Sequence, residues 1–192
     1  MKRRDLLRLT TVSAGSLLLG LLGRPRQALA LGGTLPALGQ PAPAFRLSGV
    51  VPAADGSAVP GELALGDFAG QWLVLYFYPR DFTGGCTLEA RGFQRDLAHF
   101  QEAGAAVVGV SADDADSHTE FCSSEGLAFP LLSDPGGRVS ESYGSWIAPF
   151  SQRHTFLIDP KGVLRERWVA VRPSGHSTEV LDALQKQQAL QA

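Results

Sequence analysis

The chain has 192 residues, 44% of them hydrophobic and 19% charged, which is enough apolar side chain for a full core and excludes a disordered or low-complexity chain. The apolar run Leu9 to Gly23 is shorter than the roughly 20 residues that a spanning helix needs, so a polytopic membrane protein is excluded. Residues 31–192 hold 11 basic and 18 acidic side chains, a formal charge of −7, and such a surface has no electrostatic footprint for nucleic acid or anionic lipid.

The first 30 residues differ from the rest. Lys2, Arg3, Arg4 and Arg8 precede the apolar run, and Ala28-Leu29-Ala30 supplies the small-x-small pattern of a cleavage site, so residues 1–30 are expected to be an export signal. The pair Arg3-Arg4 followed by Asp5-Leu6-Leu7 resembles a twin-arginine signal, which implies a periplasmic or thylakoid-lumen destination. Residues 31–44, rich in Gly, Pro and Ala, are expected to form a linker or extended arm with partial disorder. Pro52 to Gly61, with Asp55-Gly56, predicts a loop or hairpin.

The first strong core element is Trp72 to Tyr78, a continuous apolar and aromatic run between Gly70 and Pro79, as in a strand buried on both faces. Cys86, Ala90, Phe93, Leu97 and Phe100 then recur at spacings of 4, 3, 4 and 3, the stripe of an amphipathic helix. Ala105 to Val110 predicts a strand and Asp113 to Gly126 a helix, with Gly126 as its stop. Phe129 to Leu132 predicts a short strand, and Val139 to Tyr143 a short helix. Thr155–Ile158 and Val163–Val169 flank the turn signal Asp159-Pro160-Lys161-Gly162, and a last helix is predicted over Ser177 to Gln188. This order predicts an α/β domain over residues 45–192, with a mixed central sheet and helices on both faces.

Chemistry concentrates at Cys86, where a loop enters a helix. The helix dipole and unpaired N–H groups there favour the thiolate, the reactive form of the thiol. Thr83 can cap the helix or aim its hydroxyl at a group near the sulfur, Glu89 can orient a cation from elsewhere in the chain, and Gly84 and Gly85 permit close backbone approach. Composition alone leaves open that Cys86 is a small core hydrophobe. Neither Cys86 nor Cys122 belongs to a C-x-x-C pair, so the thioredoxin exchange motif is absent.

The segment Tyr78-Pro79-Arg80-Asp81-Phe82-Thr83-Gly84-Gly85-Cys86-Thr87-Leu88-Glu89-Ala90 resembles the peroxidatic motif of peroxiredoxins, in the form found in the peroxiredoxin Q or bacterioferritin comigratory protein group. Pro41–Phe45, Val110–Asp113, Phe129–Asp134 and Arg153–Asp159 resemble further segments of that group. The resemblance implies a thioredoxin-like fold and a thiol-dependent peroxidase acting on hydrogen peroxide and organic hydroperoxides. It makes Cys86 the peroxidatic cysteine, Thr83 the residue bonding the peroxide, Arg153 the stabiliser of thiolate and developing charge, and Pro79 the shield of the pocket. No metal, haem or flavin is implied. The implied partner is thioredoxin or a similar dithiol reductant, and the implied state is a monomer.

Two positions depart from the pattern. Gly84 stands where the group usually has Pro, and Arg91 stands where its commonest resolving cysteine lies. Some members place that cysteine on the next helix, which makes Cys86–Cys122 the implied disulfide and requires local unwinding, because bridged Cα atoms lie within about 7 Å. Alternatives remain open: a one-cysteine peroxidase with Cys122 structural, or a non-enzymatic redox sensor on the same fold. His118 and Cys122, four apart on the predicted helix, form a weak metal-ligand spacing. Trp146, Ile147, Pro149 and Phe150 are candidates either for the mouth of the site or for loop packing.

Overall fold

The computed structural model describes residues 29–30 and 32–191, so the export-signal reading, except for its last two residues, lies outside the described residues. In chain order the elements are β1 (Leu29–Ala30), β2 (Gly33–Thr34), β3 (Arg46–Pro52), β4 (Ala58–Ala64), a 3-10 turn (Leu65–Phe68), β5 (Trp72–Phe77), α1 (Gly84–Glu102), β6 (Ala105–Ser111), α2 (Ala115–Glu125), β7 (Leu131–Ser133), α3 (Arg138–Ser142), β8 (Trp146–Ile147), β9 (Phe150–Ser151), β10 (His154–Ile158), β11 (Leu164–Trp168) and α4 (His176–Ala189). Seven strands form one mixed sheet in the order β11-β10-β5-β6-β7-β3-β4. The pairs β5–β6 and β6–β7 are parallel, and the remaining pairs are antiparallel.

All six residues of β5 are buried, and their alternation divides the core. Trp72, Val74 and Tyr76 meet Ala90, Phe93, Leu97 and Phe100 of α1, Phe121 of α2, and Val180 and Leu184 of α4. Leu73, Leu75 and Phe77 meet Val139 of α3 and the adjoining Tyr143 on the opposite face. The period-two geometry of a strand therefore turns one apolar run into two cores. α2 starts at Asp114, whose carboxylate accepts the Ser117 N–H at 2.9 Å, and ends at Gly126, which adopts the left-handed conformation (φ 63°).

Residues 32–44 form an extended arm, but it is tied down where composition predicts partial disorder. The Gly39 and Ala42 N–H groups donate to the carbonyls of Leu164 and Gly162, and the Tyr143 hydroxyl donates to the Pro43 carbonyl at 2.7 Å. Leu35 and Ala42 are buried in the second core beside Phe45. The turn signal at Asp55-Gly56 belongs to the hairpin of β3 and β4, which pair in register from Arg46↔Ala64 to Pro52↔Ala58. The flanking strands are weak in the sequence because each carries glycine or proline. At Gly49 a Cβ would lie 2.2 Å from the Leu131 carbonyl oxygen, and Pro60 is tolerated because β4 is an edge strand. Among the described residues no helix is long and apolar enough to cross a membrane.

Candidate active site

β5 delivers the chain through Pro79 to a loop that ends at Thr83, the residue preceding α1, in extended conformation (φ −88°, ψ 142°). Cys86 occupies the first turn of α1 with 1% of its surface exposed. The Thr83 side chain makes no cap bond to the helix. Its hydroxyl donates instead to the Arg80 carbonyl at 3.1 Å, leaving Thr83 exposed at the mouth of the loop.

Arg153, immediately before β10, reaches across the sheet end to this turn. Its Nη2 donates to Cys86 Sγ at 3.3 Å, and its Nη1 donates to Glu89 Oε2. The planar guanidinium thus spans a thiol and a carboxylate, a task suited to a fork and not to a point charge. Gly85 makes room for it, since a Cβ there would lie 3.1 Å from Arg153 Nη2. The Arg153 backbone is also fixed, its carbonyl accepting the Val171 N–H at 2.9 Å.

The electrostatics of the pair are unequal. Burial lifts the Glu89 carboxyl from the ordinary carboxylate range to about 7, with the Arg153 charge and hydrogen bond pulling the other way. Burial also works against the Arg153 charge, but Glu89 and Cys86 outweigh it and hold the guanidinium protonated. Glu89 Oε1 is buried without a partner. The site therefore holds a fixed cation beside the thiol and a carboxyl whose own charge is disfavoured.

Cys122 lies in the third turn of α2, buried and free, as Cys86 is. Burial and then the Asp81 charge push its thiol up to about 12. It borders a cavity of about 360 Å³ lined by Ser57 and Ala58 of the β3–β4 hairpin and by Thr119, Ser123 and Leu127. Tyr76 underlies both thiols. Its buried hydroxyl has no hydrogen-bond partner and is pushed well up by burial, with the charges of Glu89, Cys122, Asp81 and Cys86 adding to the effect.

Arg91 donates to Glu125 Oε2 on α2 at 2.5 Å, so an ion pair stands where the group's usual resolving cysteine would be. His118 does not combine with Cys122 into a ligand set. Its Nδ1 lies 2.9 Å from Asp81 Oδ2, and among the described residues no group of three or more His, Cys, Asp or Glu side chains could hold a metal. His154 flanks Arg153 but packs on the opposite face, where burial lowers its pKa and neither ring nitrogen has a partner. Ile147 and Phe150, in the β8–β9 hairpin, remain exposed. Sequence reasoning passed over Asp81, Tyr78 and Ser117, whose side chains gather around one buried carboxylate. No local signal marks them, since Asp81 lies in a polar loop and Ser117 in the polar run Ala115 to Glu120.

The AhpC/TSA family matches residues 38–167. Peroxiredoxin Bcp of Xanthomonas campestris is 42% identical over 125 residues, covering 60% of this chain and 78% of that protein. The chloroplastic peroxiredoxin Q of Populus jackii is 39% identical over 127 residues, covering 64% of this chain and 60% of that protein. The solved structure of the Xanthomonas campestris bacterioferritin comigratory protein, described for its alkyl peroxide reduction activity, superimposes with a TM-score of 0.67 at 33% identity, covering 73% of this chain and 90% of that one. With a buried thiol under a guanidinium at a helix start, a mixed seven-stranded sheet and these relatives, the chain belongs to the AhpC/TSA family and, within it, to the peroxiredoxins of the Q and bacterioferritin comigratory protein group.

Proposed function

We propose that this peroxiredoxin, a thiol peroxidase, reduces hydrogen peroxide and organic hydroperoxides at Cys86 and resolves the product through Cys122. The observation that carries the site is the contact of Arg153 Nη2 with Cys86 Sγ at 3.3 Å. A peroxide offers a weak O–O bond and no charge to grip, so the enzyme must place a nucleophile and stabilise the oxygen that departs. The Cys86 thiolate attacks one peroxide oxygen, an S–O bond forms, the O–O bond breaks, and the other oxygen leaves as water or an alcohol after taking a proton. Arg153 and the N–H groups at the start of α1 stabilise the thiolate and the charge that develops on the leaving oxygen, and Thr83 orients the peroxide. Pro79 shields the reacting centre. Phe82 and Leu88, each half exposed close to Cys86 in the chain, offer apolar surface to an alkyl group.

The sulfenic acid left on Cys86 is then attacked by the Cys122 sulfur. An S–S bond forms, the S–O bond breaks, and the hydroxyl leaves with the Cys122 proton as water. Thioredoxin or a similar dithiol protein reduces the disulfide, its two thiols being oxidised in turn. The chain acts as a monomer, as the group resemblance implies, and as an exported protein in a periplasm or a thylakoid lumen, a reading of its destination supported by the basic, apolar and small-residue pattern of residues 1–30.

The test is the intact mass of the purified, reduced chain before and after one equivalent of hydrogen peroxide. A loss of about 2 Da, abolished in Cys86→Ser and in Cys122→Ser, is expected. A gain of about 16 or 32 Da confined to Cys86 would remove Cys122 from the mechanism, and an unchanged mass would remove the peroxidase site from Cys86.

A further inference from the structure

Asp81 is an acid in the loop that ends at Thr83 and leads into the α1 turn of Cys86, and it is 3% exposed. Its carboxylate accepts from the Tyr78 hydroxyl at 2.7 Å, from the Ser117 hydroxyl at 2.7 Å and from His118 Nδ1 at 2.9 Å. The Asp81 N–H donates to Asp113 Oδ2 at 2.9 Å, and that carboxylate also accepts from the Ser111 hydroxyl. Ser117 and His118 belong to α2, the helix of Cys122, and His118 stands one turn before that cysteine. A polar node buried between two elements therefore joins the loop of one thiol to the helix of the other.

The next residue strengthens the joint. Phe82 has φ 57°, a conformation that side chains rarely adopt and that persists only where surroundings enforce it. Its ring packs edge-on against Phe121 of α2 with centroids 5.1 Å apart, although half of the residue is exposed. The loop thus grips α2 by one buried carboxylate and one strained aromatic.

None of these contacts serves attack on a peroxide, but all of them bear on the closure of a disulfide after it. A disulfide brings two sulfurs to about 2.05 Å, whereas each thiol is buried within a hydrogen-bonded helix. The loop and α2 must release one another first. We propose that the node of Asp81 with His118, Ser117 and Tyr78 is a latch that holds the peroxide-reactive arrangement closed and sets the rate at which Cys122 reaches oxidised Cys86. The latch also masks Cys122 while it is shut, because the burial and the Asp81 charge that push its thiol up to about 12 both depend on closure. Opening removes the restraint and the opposing charge in one motion. These side chains are positioning residues, acting through the two cysteines, and the inference rests on Cys122 being the resolving thiol.

Rapid quenching after one equivalent of hydrogen peroxide, read by intact mass, separates the two steps. The gain of about 16 Da reports attack, and the later loss of about 2 Da relative to the reduced chain reports resolution. In Ser117→Ala and in Tyr78→Phe, which each delete one donor to the buried carboxylate, resolution is expected to accelerate about fivefold to tenfold. The attack step should stay within about twofold of the wild type, and the fraction carried to the sulfinic acid at high peroxide should fall. His118→Gln, which can keep a donor to Asp81, should lie between these variants and the wild type. Unchanged or slower resolution in both deletion variants overturns the latch, as does equal slowing of both steps, which marks a merely structural role. A wild type that stops at the sulfenic or sulfinic acid overturns the resolving role of Cys122 and the latch together, whereas a wild-type disulfide with insensitive variants overturns the latch alone.

Discussion

Cys86 and Cys122 are both buried against the same face of the sheet, yet they sit in opposite electrostatic settings. Cys86 lies at the positive end of α1 with a guanidinium 3.3 Å from its sulfur. Cys122 lies well inside α2, where burial and the Asp81 carboxylate both disfavour its charge. Burial alone therefore says little about a thiol. What distinguishes the two thiols is the sign of the nearest fixed charge and the position along the helix.

The largest expected effect comes from removing the cation. Arg153→Ala should lower the rate constant for peroxide attack by about 10² to 10³, measured under single-turnover conditions. Arg153→Lys should recover only part of that loss, because an ammonium cannot bridge Cys86 and Glu89 as the fork does. A difference in alkylation is the next test. With its thiol at about 12, Cys122 is ionised to about one part in 10⁴ at pH 8. Iodoacetamide should therefore label Cys122 slowly, at least about tenfold behind Cys86 in the native reduced chain, read by peptide mass. Comparable rates would erase the contrast.

A smaller effect concerns the third member of the Cys86 site. Burial raises Glu89 to about 7 from its ordinary value near 4.5. A raised folded-state value means that the contribution of Glu89 to stability is fully present below about pH 4.5 and is lost as the pH rises through 7. The melting temperature of the wild type should therefore fall relative to Glu89→Gln across that window, by roughly 5 °C. The opposite slope would show that the pull of Arg153 outweighs burial.

How much of this could be read from the sequence depended on the range of the signal. The stripe from Cys86 to Phe100 and the run from Trp72 to Tyr78 report burial directly, so α1 and β5 were legible. The second unit and the last hairpin were legible for the same reason. β3 and β4 were not, because Gly49 answers to a close contact with Leu131, far away in the sequence, and Gly61 to one with Val51 across the hairpin. The way the arm is tied down was not legible, because its Pro and Gly content hides two buried apolar residues and bonds to a turn more than a hundred residues away. At the site, the motif resemblance named Cys86, Thr83 and Arg153, and its place three residues after Cys86 marked Glu89 as a seat for a cation. The Asp81 node was invisible for a different reason. His118 and Ser117 carry no local pattern that distinguishes a buried hydrogen bond from a helix surface, and only the packing of α2 on the loop brings them to Asp81.

The smallest effect sharpens the comparison at the Cys86 turn itself. Gly84 is the first residue of α1, the helical position where proline is best tolerated, since its N–H has no intrahelical partner. A Cβ there would meet nothing within 4 Å. The preceding Thr83 already has the extended conformation that a following proline demands. Gly84→Pro should therefore raise stability by about 0.4 to 1 kcal/mol, chiefly by narrowing the unfolded ensemble, as read by urea unfolding. The rate of peroxide attack should not change. The same substitution at Ser123, beside Cys122 inside α2, should cost about 3 kcal/mol, because an interior proline removes a helix hydrogen bond. A slower peroxide attack in Gly84→Pro would mean that the Gly84 N–H is needed at the mouth of the site. Glycine would then be a functional choice at that position, and the contrast between the two cysteines would extend to the backbone that carries them.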